Sequence, residues 1–162
     1  MKTLTAIVSL LILSAEIGLA QGRGSSVTQS VTIEVKPITR IAVNGNPTPL
    51  IINDAVPGLP LTTVSDNSTK YSLVTNLDQM KIVASIDNPM PAGTRLLIHL
   101  SSSKAVSAGA VDLSAARAPV DVVRGIGRGS DTDQSISYTF AADAAVGEVP
   151  TQSRIITLTL TN

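Results

Sequence analysis

Apolar and polar residues alternate in short stretches along most of this chain, and glycine, proline, asparagine or aspartate separates each stretch from the next. Residues 154–161 alternate aliphatic residues with threonines, and residues 95–100 place Leu96, Ile98 and Leu100 on one face. A period of two is typical of β-strands that bury one face and expose the other. About eight to ten such segments, with residues 50–52 as a short strand candidate, indicate an all-β fold. After residue 20 no helical pattern exceeds one turn, and the alanine-rich residues 141–146 are compatible with a single turn. We therefore expect an immunoglobulin-like two-sheet antiparallel β-sandwich.

The first twenty residues have the layout of a secretory signal peptide. Lys2 supplies a positive charge, residues 4–13 are mostly apolar, and Gly18-Leu19-Ala20 ends the stretch with small residues at the −3 and −1 positions. We expect cleavage before Gln21 and export to the periplasm, the cell surface or the extracellular space. Removal of residues 1–20 leaves 162 − 20 = 142 residues, which corresponds to a single β-sandwich domain over residues 21–162. No later segment reaches the length of about 18 apolar residues that a membrane span requires.

Charge and composition argue against several classes of partner. The chain has 12 basic and 12 acidic residues, and one of each (Lys2 and Glu16) precedes the predicted cleavage site, which leaves 11 of each. Because no basic tract is present, we do not expect binding to nucleic acid. The sequence contains only Tyr71, Tyr138 and Phe140 as aromatic residues. We therefore expect an aliphatic core and little surface on which a sugar or another small ligand would stack.

The residues most often used in catalysis or metal binding occur in patterns that structural roles explain. His99 is the only histidine, no cysteine is present, and no Gly-x-Ser-x-Gly motif occurs, so a nucleophilic triad or a zinc cluster is not expected. Asp131-Thr132-Asp133 and Asp66-Asn67 lie in turn-like sequence, where such residues bond to nearby backbone. Residues 125–129 alternate glycines without the Lys and helix of a phosphate-binding loop, and we expect a flexible hairpin tip over residues 125–133. We predict no catalytic, cofactor-binding or metal-binding residue, no cofactor and no enzymatic activity.

The N-terminal part of the predicted domain contains its longest alternating segment. Val27, Val31, Ile33 and Val35 occupy one face of a predicted strand over residues 25–35, and polar residues occupy the other face. Such a segment either pairs as the first strand of its own domain or completes a sheet of a neighbouring molecule. The sequence leaves both possibilities open. We name residues 27–35 the assembly segment.

Several strand and turn motifs together resemble those of a known class of exported proteins. In chain order they are Ser-Val-Thr-Ile-Glu-Val-Lys-Pro-Ile (residues 30–38), Ser-Asp-Asn-Ser-Thr-Lys-Tyr (65–71), Lys-Ile-Val-Ala (81–84), Met-Pro-Ala-Gly-Thr (90–94), Val-Asp-Val-Val-Arg-Gly-Ile (120–126), Ser-Tyr-Thr (137–139) and Thr-Leu-Thr-Leu-Thr (157–161). With these motifs the chain is similar to small exported β-sandwich proteins of Gram-negative bacteria, and more distantly to pilin-like and spore-coat-U-like surface subunits. The resemblance implies an exported surface protein and carries no catalytic residues over to this chain. Many of those subunits contain a disulfide, which this chain lacks.

These observations lead to one expected function and two alternatives. The expected function is that of a non-enzymatic structural or adhesive surface component that assembles with copies of itself, or with other envelope proteins, through sheet edges. The first alternative is an extracellular or periplasmic ligand- or glycan-binding module. The second is an exported hydrolase that uses acidic residues.

Overall fold

The computed structural model describes residues 25–58, 63–115 and 118–162, and the predicted signal peptide lies outside these ranges. The chain divides into two compact units between Glu34 and Val35, and every strand of the described residues belongs to the second unit. The strands in chain order are β1 Thr39–Asn44, β2 Val64–Asp66, β3 Lys70–Thr75, β4 Met80–Ile86, β5 Thr94–Leu100, β6 Val106–Ser107, β7 Val111–Asp112, β8 Val120–Ile126, β9 Gly129–Ala142 and β10 Ile156–Thr161. A single 3-10 turn, Ala144–Val146, is the only helical element of the described residues.

The strands form two antiparallel sheets packed against each other, which confirms the predicted β-sandwich. The first sheet has the order β1-β3-β9-β5-β7, and β2 pairs with the remaining part of β9. The second sheet has the order β10-β4-β8-β6. Strands β1 and β10 are edge strands of different sheets and lie near each other. The opposite edges are formed by β7 and β6, which are two residues long each.

The core lies between the two sheets and is mostly aliphatic, as its sequence predicts. Strand β5 shows why the pattern folds this way, since Leu96, Ile98 and Leu100 are buried while the residues between them face outward. Leu113, which follows β7, is also fully buried. The remaining core residues come from both sheets: Tyr71, Leu73, Ile136 and Tyr138 from the first, and Met80, Ile82, Ala84, Val122, Val123 and Ile126 from the second.

Three local predictions from the sequence turn out differently in the structure. Residues 25–38 belong to no strand, so the predicted strand over residues 25–35 is wrong for the single chain. Residues 50–52, a short strand candidate by composition, are likewise not a strand. Strand β9 begins at Gly129, so only Gly127 and Arg128 lie between it and β8, and the predicted flexible tip is wrong for residues 129–133. Pairing of residues 129–131 and 134–135 with β3, on either side of an irregularity at residues 132–133, stabilises that segment as strand.

Gly93 occupies a turn before β5 in which a larger residue is doubly unfavourable. Its φ is +76°, in the left-handed region, and a Cβ at this position would collide with the Val146 side chain. The Gly93 carbonyl also accepts a hydrogen bond of 2.9 Å from the Asp143 backbone N–H. The turn before β5 and the 3-10 turn after β9 are therefore packed directly against each other.

We expect Gly93→Ala to destabilise the protein more than Gly109→Ala does. Gly109 has a similar φ of +78° but no atom near the position of its Cβ. The control variant therefore measures the backbone cost alone, which is about 1–2 kcal/mol. The Gly93 variant adds the collision with Val146, which we expect to cost about 1 kcal/mol more. Urea denaturation of both variants measures the difference, and equal free energies of unfolding would contradict the close packing at Gly93.

Candidate assembly surface

The assembly segment is the most exposed apolar stretch that the structure describes. Val27, Val31, Ile33 and Val35 are between 79% and 89% exposed. Isolated exposed aliphatic residues are common on protein surfaces, but here four of them lie at alternate positions of one short segment, with Gln29 as the one polar residue in that series. Fully extended, its nine residues span about 30 Å. The segment therefore has the composition and length of a β-strand but forms no strand in the single chain.

Asn76 fastens the residues that follow the assembly segment to the end of β3. Its side-chain Oδ1 accepts a hydrogen bond of 2.7 Å from the Ile38 N–H, and its Nδ2 donates to the Lys36 carbonyl at 2.8 Å. Its backbone N–H donates to the Ile38 carbonyl at 3.2 Å. Pro37 lacks a backbone N–H and interrupts strand pairing at this point. Strand β1 thus begins two residues after this proline, at a fixed position.

Strand β10 forms the edge of the second sheet and contains no charged residue, proline or bulge. It pairs with β4 in an unbroken register from Ile156↔Ile86 to Thr161↔Lys81. Its threonines Thr157 and Thr159 are exposed, and its aliphatic residues face the core. An edge of this kind leaves a row of backbone N–H and C=O groups without a strand partner. The alternation in β10 is predictable from the sequence, but the open outer edge of this strand is not.

Asp87 fixes the point at which β10 begins. One carboxylate oxygen accepts a hydrogen bond of 3.0 Å from the Ile155 N–H, and the Asp87 N–H donates to the Ile155 carbonyl at 3.0 Å. The bond from Ile155 is the main reason why the pKa of Asp87 lies below its usual value. Because the folded-state pKa is lowered, this stabilisation is present above the pKa of the unfolded chain and is lost as the pH falls through the folded value. Arg154 adds a bond to the Pro89 carbonyl at 3.2 Å.

The acidic residues considered as site candidates hold turns and loops in place. Asp66 accepts hydrogen bonds from the Thr48 hydroxyl at 2.6 Å and from the Ser68 N–H at 3.1 Å. The bond from Thr48 is the largest cause of the lowered pKa of Asp66. Asp131 accepts from the hydroxyls of Ser102 and Ser103 at 3.1 and 2.9 Å. These contacts fasten residues 48 and 102–103 to the first sheet.

His99 and Asp133 are not brought together with these carboxylates into one site. His99 is half-buried on β5, opposite Ser137 of β9, and it points away from the face that carries Ile98 and Leu100. Asp133 is exposed on β9, and its backbone N–H donates a hydrogen bond of 3.1 Å to the Ser72 hydroxyl. Within residues 25–58, 63–115 and 118–162, no group of three or more His, Cys, Asp or Glu side chains is arranged to hold a metal ion.

Two depressions on the surface of the described residues are small. One, of about 120 Å³, lies beside Lys104, Arg128 and Asp131. Another, of about 160 Å³, lies beside Asn44 and Lys70. Pockets that enclose small-molecule ligands usually measure about 300–1,000 Å³. Neither depression is large enough for such a ligand.

Comparison with known proteins does not identify a relative. No protein-family model, curated protein or solved structure matches the chain. Among the described residues, no helix is long and apolar enough to cross a membrane.

Proposed function

We propose that this protein is an exported, non-enzymatic structural or adhesive surface component that assembles with copies of itself by strand addition, with the assembly segment as the added strand. The observation that supports this proposal is the exposure of Val27, Val31, Ile33 and Val35, together with the lack of any strand over residues 25–38. A strand added to a sheet edge gains main-chain hydrogen bonds, and its alternate side chains gain apolar contacts. Self-assembly would therefore bury four aliphatic side chains that a single molecule leaves in water.

The proposal agrees with two further features. The predicted signal peptide directs the protein to a compartment where surface subunits assemble. The resemblance to pilin-like surface subunits, which carries no catalytic residues, points to the same class of function. The proposal depends on the chemistry of the segment itself and does not require a disulfide, which this cysteine-free chain cannot form.

We expect deletion of residues 21–35 to abolish polymers that the exported protein forms. A sharper test places charge on one face of the segment at a time. Val31→Asp combined with Ile33→Asp puts two charges on the apolar face, and we expect loss of polymer because a charge buried in an interface is strongly unfavourable. Ser30→Asp combined with Thr32→Asp adds the same charge to the same segment on its polar face, where it stays in water, and polymer should persist.

The readout is electrophoresis without boiling, together with light scattering, on protein recovered from the periplasm and the medium. Melting curves of all variants confirm that the sandwich remains folded. Unchanged monomer for the parent protein and every variant, over the full range of concentration, contradicts the proposal. Equal loss of polymer in both double variants contradicts the assignment of the apolar face.

A further inference from the structure

We infer that the acceptor of the assembly segment is the outer edge of β10 in a second copy of this chain, so that the second sheet gains a fifth strand. This inference rests on the proposed function and deepens it by naming the partner and the edge.

The other sheet edges are less suited to accept a strand. Strand β2, which pairs only with β9, is three residues long, and strands β6 and β7 are two residues long each. Such short edge strands offer few unpaired backbone groups. Strand β1 is six residues long but carries the exposed Arg40, and charged edge residues discourage pairing. Strand β10 is equally long, uncharged and regular in register. Among the described edges, β10 alone combines length with the absence of these protective features.

The core-facing side chains of β10 are only partly buried, because no strand of the same sheet lies beside them at its open edge. Ile156, Leu158 and Leu160 pack against the core but remain partly exposed. Their partners on β4 are Ile86, Ala84 and Ile82, which are at most 3% exposed. Each pair lies at the same level of the sandwich, so the difference comes from position in the sheet. Strand β4 is hydrogen-bonded to a strand on both sides, and β10 on one side only. Strand β1 of the other sheet lies near β10 but does not pair with it.

The assembly segment has the pattern that this edge requires. Its aliphatic residues occupy alternate positions, except that Gln29 stands between Val27 and Val31, and they would lie beside the aliphatic residues of β10 on the core side. Its polar residues, Thr28, Ser30 and Thr32 among them, would lie beside the threonines of β10 on the outer side. Cross-strand pairs of threonine with threonine or serine stabilise sheets. The segment has nine residues and β10 has six, so it spans the whole edge with residues to spare.

These features indicate that the partner is a second copy of this chain. Every copy of the chain presents both the segment, exposed by at least 79% at its four aliphatic positions, and the open β10 edge. A head-to-tail contact between two different surfaces leaves one segment and one edge unused at the ends when its rotation does not close into a ring, and it then propagates into a fibre. The inference therefore predicts an open polymer and not a closed symmetric dimer.

Engineered disulfides test the inference directly, because the natural chain contains no cysteine. One protein carries Thr32→Cys, and a second, distinguished by a mass tag, carries Thr157→Cys, Thr159→Cys or Thr161→Cys on β10. Three acceptor positions allow for different registers, since a disulfide forms only when the two Cα atoms approach within about 7 Å. Matched controls carry the acceptor cysteine on other edges, as Ala42→Cys on β1 or Ser107→Cys on β6. Each pair is mixed, allowed to assemble and oxidised.

We expect a mixed, tagged disulfide dimer with at least one β10 position and none with the β1 or β6 controls. Polymer that cross-links through Ala42→Cys or Ser107→Cys and not through β10 overturns the acceptor assignment but leaves the proposed function intact. A disulfide that forms only within one molecule, when both cysteines are placed in the same chain, overturns the assignment to a second copy. Absence of polymer from the parent protein overturns the proposed function and this inference together.

Discussion

Replacement of Ile98 by alanine should lower the free energy of unfolding by about 2–5 kcal/mol. Ile98 lies in the middle of β5, is fully buried, and belongs to the core between the two sheets. The substitution removes buried methyl and methylene groups and leaves a cavity that the flanking strands cannot fill without distortion. A domain of this size has a total stability of about 5–15 kcal/mol. The loss is therefore a large share of the total, and equilibrium denaturation in urea measures it.

The matched control is Ile51→Ala, which makes the same chemical change at a residue that is 64% exposed and outside every strand. We expect it to change the stability by no more than about 0.5 kcal/mol. A smaller deletion, Ile98→Val, should cost about 0.5–1.5 kcal/mol. Equal effects of the two alanine variants would show that Ile98 does not pack in the core as described.

Alkaline pH should destabilise the folded protein through Tyr71. This residue is 1% exposed, and its hydroxyl donates a hydrogen bond of 2.7 Å to the Ser101 carbonyl. Burial, with a smaller contribution from the charge of Asp131, raises the pKa of Tyr71 from its ordinary value of 10.0 to about 12. Between these values the unfolded chain loses the phenol proton while the folded chain retains it. The free energy of unfolding therefore falls as the pH rises from 10 to 12, by about 2 kcal/mol in total.

Tyr71→Phe isolates this contribution. The variant should lose about 1 kcal/mol at neutral pH, because the Ser101 carbonyl loses its donor. Its stability should then fall less steeply above pH 10 than that of the parent protein, since phenylalanine does not titrate. Tyr138, whose pKa burial also raises, remains in both proteins, as do the lysines. Denaturation curves measured at pH 9, 10 and 11 test the difference, and parallel slopes for the two proteins would contradict the role of Tyr71.

The strands with a clear period of two were predictable from the sequence. Residues 95–100 place Leu96, Ile98 and Leu100 on one face, residues 156–161 alternate aliphatic residues with threonine, and the structure places β5 and β10 there. The single helical turn expected within residues 141–146 is also present, as Ala144–Val146, where the Asp143 side chain accepts a hydrogen bond from the Ala145 N–H. In these cases the local pattern and the local hydrogen bonds already favour one conformation.

The segment over residues 25–35 shows the limit of that reasoning. Its alternation predicts a strand as clearly as that of β10, yet only β10 is paired. A strand is stabilised by a partner, and a periodic sequence does not say whether the chain contains a free edge for it. For residues 129–133 the prediction was wrong in the opposite sense. Their glycine and aspartate favour a turn, but pairing of residues 129–131 with β3 places the segment in β9. Long-range pairing overrides weak local preference in both cases.

Of the two parts of the candidate assembly surface, the segment was therefore predictable from the sequence and the acceptor edge was not. Val27, Val31, Ile33 and Val35 were predicted as the assembly strand on their pattern alone, and their use in assembly remains a prediction. The open edge that would receive them depends on the order of strands in the sheet, which brings β4 inside and leaves β10 outside. No residue of β10 signals this by itself, since Leu158 and Ala84 both belong to aliphatic strands.

The order of residues is enough to predict that this chain builds sheets from aliphatic strands, because alternation fixes which side chains share a face and turn residues fix where a strand ends. Which strands are central and which are edges follows from the completed fold, because that depends on hydrogen bonds between residues far apart in the chain. The same long-range pairing decided that Ile82 is covered on both sides while Leu160 is covered on one. Exposure of an edge is a property of the completed sheet, and a sequence pattern of period two does not contain it.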